Sequence, residues 1–171
     1  MSVHLIREID RLKQQLLALG ADVERSLHRA TAAFVRRDRA QAQAVLDADM
    51  AIDRQEVDIE EECLKILALY QPVAIDLRFL VAVLKINNDL ERIGDLAVNV
   101  AEQVAFLGAA PERPLPFDLA GMAERAQRML TRSLDALVNL DAGLAREVCA
   151  SDDDVDALYR DLIAQVKDHA R

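Results

Sequence analysis

The sequence predicts an all-α protein, in which an up-down three-helix bundle is followed by a second, incomplete helical-bundle repeat. Aromatic residues make up 4% of the 171 residues, Trp is absent, and the chain has only five Gly and four Pro. Such a composition favours long helices over sheets. Apolar residues also recur at steps of three and four along most of the chain, which is the period of an amphipathic helix.

The apolar seams define the first three helices. The first is expected over about residues 3–35, and the second is expected to end near Pro72, because proline disfavours the helical conformation in the preceding residue. Asp76 is the expected N-cap of the third. The third helix has the most regular seam, formed by Phe79, Val83, Ile86, Leu90, Ile93, Ala97, Val100, Val104 and Leu107. Its seven-residue rhythm indicates a packed bundle.

A Pro-rich linker over residues 109–117 is predicted to separate a first repeat, residues 1–108, from a second, residues 118–171. The second repeat is expected to contain two helices. Their features repeat those of the first two at the offset of 103 residues that separates Leu27 from Leu130. At that offset a complete second bundle would run to about residue 210, so the third helix of the second repeat is expected to be missing.

The net charge limits the kinds of partner, and the cysteines indicate the cellular compartment. The formal net charge of −9 argues against binding to nucleic acid or to an anionic bilayer through bulk electrostatics. Cys63 and Cys149 lie far apart without metal-binding spacing, so a reduced cytoplasmic chain is the simplest interpretation. The apolar run over residues 79–84 is too short to cross a bilayer. Membrane association is therefore expected only through a protein partner.

Two acidic pairs with i, i+4 spacing are the main candidate site: Asp49 with Asp53, and Glu91 with Asp95. If the second and third helices fold back through the turn at residues 71–75, the pairs lie opposite one another within half a helical turn. Carboxylates this close repel, so they must be protonated, spread apart, salt-bridged or bound to a cation. Oxygen ligands suit magnesium, calcium, manganese or iron, and disfavour a structural zinc site.

Two other interpretations remain open. Acidic i, i+4 pairs are common on solvated helix faces, and Arg54 and Arg92 could neutralise part of the charge, as in a structural bundle scaffold without metal. A carboxylate di-metal enzyme would need Glu three residues before a His. None of His4, His28 and His169 has a Glu at that position. Nucleophile–base and phosphate-loop patterns are also missing, so the sequence predicts no catalytic centre.

Two short motifs then suggest a family. Gln71-Pro72-Val73-Ala74 with Asp76-Leu77-Arg78, followed by Asp-Leu-Glu-Arg-Ile-Gly-Asp at residues 89–95 and by Asn99, resembles the signature of the PhoU family, bacterial regulators of phosphate uptake. The resemblance implies paired three-helix bundles that bind multinuclear metal clusters through E/D-x-x-x-D motifs. The matching residues are Asp49, Asp53, Glu91, Asp95 and, in the second repeat, Asp152 and Asp156. The metal stays open among iron, magnesium, manganese and zinc.

The resemblance also implies a role. It points to a non-enzymatic adaptor that negatively regulates phosphate uptake and phosphate-starvation signalling. The implied partners are the phosphate-specific ABC transporter and a sensor histidine kinase, which the protein would meet in the cytoplasm, at the inner membrane.

The fifth helix is expected to expose an apolar seam of Val148, Val155, Tyr159, Leu162 and Val166. Burying each of these side chains is worth roughly 1.5 to 3 kcal/mol. The sequence therefore predicts either a homodimer formed through the fourth and fifth helices, or a truncated product whose second half is poorly ordered.

Overall fold

The computed structural model describes residues 3–107 and 118–169, and within these ranges it consists of five α-helices without strands. The helices are α1 Val3–Arg36, α2 Arg39–Tyr70, α3 Ala74–Leu107, α4 Leu119–Asn139 and α5 Ala142–His169. The all-α prediction is confirmed, and the helix ends lie close to the predicted ones. The predicted linker over residues 109–117 lies outside the described residues.

The first three helices pack against one another in all three pairs and form an up-down bundle. The second half attaches to this bundle through α4, which packs on α1, while α5 packs on α4. Within the described parts of the chain, no helix is both long enough and apolar enough to cross a membrane.

The core of the bundle has two clusters. The larger one joins α1, α2 and α3, and its fully buried side chains include Leu12, Leu16 and Leu19. The smaller one, towards the end of α1 and the start of α2, is built mainly from Ala and Val. Cys63 belongs to the larger cluster, where burial raises the pKa of its thiol to about 12. The thiol therefore stays protonated at neutral pH, and Cys63 acts as an apolar core residue.

The buried seam of α3 is rotated by about one residue from the predicted seam. Asn87, Gly94 and Ala101 are buried, whereas Ile86 and Ile93 are only partly buried at the flanks. The rotation arises because α3 packs on two helices at once. The smallest side chains then lie where the backbones approach most closely, and the larger ones fill the space on either side.

The prediction that Asp76 caps α3 is wrong. The helix begins at Ala74, so Asp76 lies in its first turn instead of preceding it. A carboxylate there still interacts favourably with the positive end of the helix dipole.

The turn between α1 and α2 is repeated between α4 and α5. Arg37 and Leu140 adopt positive φ values of 54° and 52°. The next residues, Asp38 and Asp141, each donate their N–H to the carbonyl five positions earlier, at 2.9 and 2.8 Å. Both aspartate side chains also accept the N–H three residues later, at 3.0 and 2.9 Å. The same backbone and capping hydrogen bonds thus recur 103 residues apart in this turn.

Candidate metal centre

The two predicted acidic pairs lie on adjacent faces of α2 and α3, where the two helices come close together. A Cβ placed on Gly94 would stand 3.3 Å from Ile52 Cγ2, which is tighter than ordinary van der Waals contact. The absence of a side chain at Gly94 therefore lets the two helices approach closely. Asp53 and Asp95 follow these two residues directly in sequence, so the contact holds one acid of each pair near the other helix.

The four carboxylates affect one another electrostatically. Burial raises the pKa of Asp49, and the charges of Asp53 and Asp95 raise it further. Burial also raises the pKa of Glu91, as do Asp95 and Asp53, while Arg92 opposes the shift and Asp49 adds a smaller effect. Charges from both helices therefore act on one small region, as the antiparallel register predicts.

The oxygens of these four acids have no hydrogen-bonding or ion-pair partner in the part of the chain that the structure describes. Among the described residues, none of the four accepts a hydrogen bond or forms an ion pair, and Arg92 lies 3.6 Å from Asp89 instead. An unpaired, all-oxygen donor set fits a hard cation. The side chains are not gathered into a cage, however, because no three His, Cys, Asp or Glu side chains in the described ranges converge closely enough to hold an ion. Asp53 and Asp95 are exposed, so rotation about their side-chain bonds can bring them inward.

Sequence reasoning missed a buried polar pair below the acidic face. Asn87 is 1% exposed, and its Nδ2 donates to the backbone oxygen of Glu56 at 2.9 Å and to Glu56 Oε1 at 3.0 Å. Burial raises the pKa of Glu56, and Glu60, Glu91 and Asp53 raise it further. The sequence does contain a signal for this pair, because Asn87 lies four residues after Val83, at a core position of α3.

Asp152 and Asp156 are exposed on α5. Neither contributes to the electrostatic field that raises the pKa of Asp49 or Glu91, so the structure does not join them to the α2–α3 acids. Asp152 instead lines a groove of about 390 Å³ between α3, α4 and α5, together with Asp89. A second metal site at Asp152 and Asp156 stays a prediction.

Comparison with known proteins finds relatives over most of the chain. A family model described as the PhoU domain matches residues 16–104 and 119–170. A phosphate-specific transport system accessory protein PhoU homolog from Aquifex aeolicus is 36% identical over 158 residues, which are 92% of this chain and 72% of the relative. The homolog from Clostridium acetobutylicum is 33% identical over 90% of this chain and 70% of its own length. The homolog from Pseudomonas putida is 34% identical over 93% of this chain and 62% of its own length.

Two solved structures share the fold. The crystal structure of PhoU from Pseudomonas aeruginosa superposes with a TM-score of 0.87 at 34% identity and covers 95% of this chain and 78% of its own. The crystal structure of the phosphate transport system regulatory protein PhoU from Streptococcus pneumoniae superposes with a TM-score of 0.84 at 29% identity. It covers 96% of this chain and 79% of its own. The family match spans both repeats, so the chain belongs to the PhoU family.

Proposed function

We propose that this protein is a negative regulator of phosphate uptake and of phosphate-starvation signalling. The family match over both repeats, in chain order, is the observation that carries the proposal. The names of the relatives describe an accessory protein of a phosphate-specific transport system, and one solved relative is called a regulatory protein of phosphate transport. Those descriptions support the non-enzymatic role that we propose.

We further propose that Asp49, Asp53, Glu91 and Asp95 bind one or more metal ions, with iron, magnesium, manganese and zinc as candidates. The support is the absence of any internal partner for these four carboxylates among the described residues, together with the raised pKa of Asp49 and Glu91. A bound cation would supply the missing counter-charge. It would also tie α2 to α3 at the place where Gly94 lets the two helices approach.

As an adaptor, the protein would connect the phosphate-specific ABC transporter to a sensor histidine kinase at the cytoplasmic face of the inner membrane. Its net charge of −9 favours basic docking surfaces on both partners. The expectation that α5 exposes its whole apolar seam is wrong for Val148, which is buried, and for Val155 and Leu162, which are partly buried. The remaining two residues are exposed, Tyr159 to 54% and Val166 to 41%. An apolar seam of this kind can cover itself in a twofold dimer, so we propose a homodimer formed through α4 and α5.

Deletion of the gene tests the regulatory role. In medium rich in phosphate, the deletion strain should express phosphate-starvation genes and take up phosphate without restraint. A plasmid that carries the wild-type gene should restore repression. Normal repression and normal uptake in the deletion strain would rule out the proposed role.

A structural scaffold without metal is the second candidate, and the lack of three convergent ligands in the described ranges favours it. Complementation by a Glu91→Gln, Asp95→Asn variant separates the two. If the variant binds less metal and restores repression only in part, the metal contributes to regulation. If the variant and the wild type both purify without metal and both restore repression fully, the scaffold interpretation is correct.

A further inference from the structure

Two grooves occupy equivalent places in the two repeats. The groove between α1 and α2 is lined on its α1 side by Asp22, Arg25 and Arg29. The groove between α4 and α5, with a volume of about 380 Å³, is lined on its α4 side by the residues 103 positions later, Arg125, Arg128 and Arg132. The repeat therefore reproduces the groove and changes its charge at two positions, because Arg125 replaces Asp22 on the α4 side and Asp154 replaces Ala51 on the α5 side.

The replacement of Asp22 by Arg125 removes an internal counter-ion. In the α1–α2 groove, Asp22 forms an ion pair with Arg25 and accepts a hydrogen bond from Gln55 Nε2 at 2.8 Å. In the α4–α5 groove, Arg125 can offer no such partner to Arg128. Neither arginine forms an ion pair with any residue in the described parts of the chain.

The third arginine of the α4–α5 groove is neutralised within the structure. Arg132 donates to Glu147 Oε2 at 2.5 Å, which fixes its guanidinium group against the start of α5. Two unpaired positive charges, those of Arg125 and Arg128, therefore remain side by side at i, i+3 spacing in a protein of net charge −9.

The rest of the groove limits what can bind there. Met129 and Val155 supply apolar surface, and Asp154 lines the α5 side without an ion pair to the arginines in the described ranges. A dianionic phosphoryl group suits the two guanidinium groups, whose planar forks match its oxygens. The carboxylate of Asp154 suits a hydroxyl donor and repels a further negative charge. The groove is also larger than an inorganic phosphate ion needs.

The lining of the α4–α5 groove comes from α4 and α5, and its Met129 and Val155 also line the neighbouring groove against α3. No residue of α3 lines the α4–α5 groove itself, and none lines the α1–α2 groove, although α3 packs on both α1 and α2. A helix packed on α4 and α5 as α3 is packed on α1 and α2 would therefore leave the groove open.

We propose that the α4–α5 groove binds a phosphate monoester of a small hydroxylated molecule. Arg125 and Arg128 hold the phosphoryl group, Asp154 accepts a hydrogen bond from a hydroxyl of the organic part, and the carbon skeleton lies over Met129 and Val155. The site is separate from the α2–α3 acids, so its occupancy does not depend on metal there.

Isothermal titration calorimetry of the full chain at constant ionic strength tests this site, with glycerol 3-phosphate, inorganic phosphate and glycerol as probes. Glycerol 3-phosphate should bind saturably and more tightly than inorganic phosphate, and glycerol should not bind. Arg125→Asp should weaken binding by about tenfold or more, because it restores the internal pair seen between Asp22 and Arg25. Arg128→Gln should weaken it similarly with less structural change.

Two further variants make the result specific. Asp154→Asn should weaken binding of glycerol 3-phosphate, because it removes the charged acceptor for the hydroxyl group, and should leave inorganic phosphate bound at least as tightly, because it removes a like charge. Arg11→Asp makes the same charge change as Arg125→Asp at an exposed position of α1 outside the groove, and it should leave affinity unchanged. Circular dichroism of each variant checks that the helices are retained.

Several results would overturn the proposal. They are the absence of saturable binding, equal affinity of wild type and Arg128→Gln, an equal loss in Arg11→Asp, and tighter binding of inorganic phosphate than of the ester. Sedimentation with vesicles that contain phosphatidic acid, which carries the same glycerol phosphate group, would assign the groove to a lipid headgroup and overturn the assignment to a free ester.

Discussion

Arg37 and Leu140, 103 residues apart, share one left-handed backbone conformation at the ends of the two helices that begin the repeats. The conformation reverses the chain so that the following aspartate can cap the next helix. Such a conformation costs a non-glycine residue roughly 1 to 2 kcal/mol. Both repeats accept this cost, so the turn geometry is part of the duplicated unit.

Leu140→Gly should therefore stabilise the protein. Leu140 is 58% exposed, so little packing is lost, and the positive φ becomes unstrained. The greater freedom of glycine in the unfolded chain offsets part of the gain. We expect a net increase of about 0.5 to 1 kcal/mol in the free energy of unfolding, measured by urea denaturation. Leu140→Ala is the control, because it removes the side chain and keeps the strain; equal stability of the two variants would contradict the argument.

The contact between Gly20 and Leu134 gives a second prediction. A Cβ on Gly20 would overlap Leu134 Cδ1, which is buried between α1 and α4. Gly20→Val should lower the free energy of unfolding by about 1 to 3 kcal/mol through overpacking. Leu134→Ala opens a cavity and should itself be destabilising, but the double variant should lose less than the sum of the two losses. Strict additivity in this double-mutant cycle would show that the two sites are not coupled.

Much of the fold follows from local patterns. The end of α2 is predictable because Pro72 disfavours the helical conformation in the residue before it. The start of α4 is predictable because Asp118 is a favourable N-cap residue. The start of α3 is not, since Ala74 has φ of 52° and turns the chain two residues before Asp76. The exact seam of α3 also escapes sequence reasoning, because it depends on where α1 and α2 both meet that helix.

The candidate site is predictable only as far as it depends on local spacing. Helical spacing and an antiparallel register place Asp49, Asp53, Glu91 and Asp95 on adjacent faces. Whether their oxygens converge depends on side-chain rotation, which no spacing determines. The α4–α5 groove depends on how two helices cross, so it becomes visible only when residues far apart in the chain are brought together.

Removal of the central carboxylates should lower metal content. Glu91→Gln with Asp95→Asn keeps the shape of both side chains and removes two of the four charges. Metal in protein purified without added metal, measured by inductively coupled plasma mass spectrometry, should fall in this variant while helical content is retained. Asp58→Asn with Glu61→Gln makes the same charge change at exposed positions of α2 and should retain the wild-type metal content. Equal content in all three proteins would exclude the site.

The stability of the metal-free protein should depend on pH through the same region. The pKa values of Asp49, Glu56 and Glu91 are raised in the folded state, first by burial. The folded protein then binds protons more tightly than the unfolded chain, so ionisation of these groups destabilises it at neutral pH. The penalty is relieved as the pH falls through the folded pKa values, and relief is complete below the ordinary values of 3.8 and 4.5.

The variant Asp49→Asn, Glu56→Gln, Glu91→Gln tests this sign. With a chelator present, it should have a higher free energy of unfolding than wild type near pH 7, and the difference should shrink as the pH falls to about 4. The pKa of Asp38 is lowered, mainly by the N–H of Gln41, so loss of that cap on acidification acts in the opposite direction. The loss of the Asp38 cap affects wild type and variant equally, so it cancels in the difference between their free energies of unfolding. A variant less stable than wild type near pH 7 would show that these acids are stabilised by partners.

The two exposed residues of the α5 seam, Tyr159 and Val166, lead to the last prediction. A homodimer that covers this seam should appear in light scattering as a species of twice the 19.0 kDa chain mass, in a proportion that rises with concentration. Tyr159→Ser with Val166→Ser should shift the equilibrium towards monomer, because it removes two exposed apolar side chains from the interface. Val73→Ser with Ile75→Ser, at exposed positions just before and within the first turn of α3, should leave the equilibrium unchanged. A monomer at every concentration, with α4 and α5 protected from hydrogen exchange, would show that this face needs no partner.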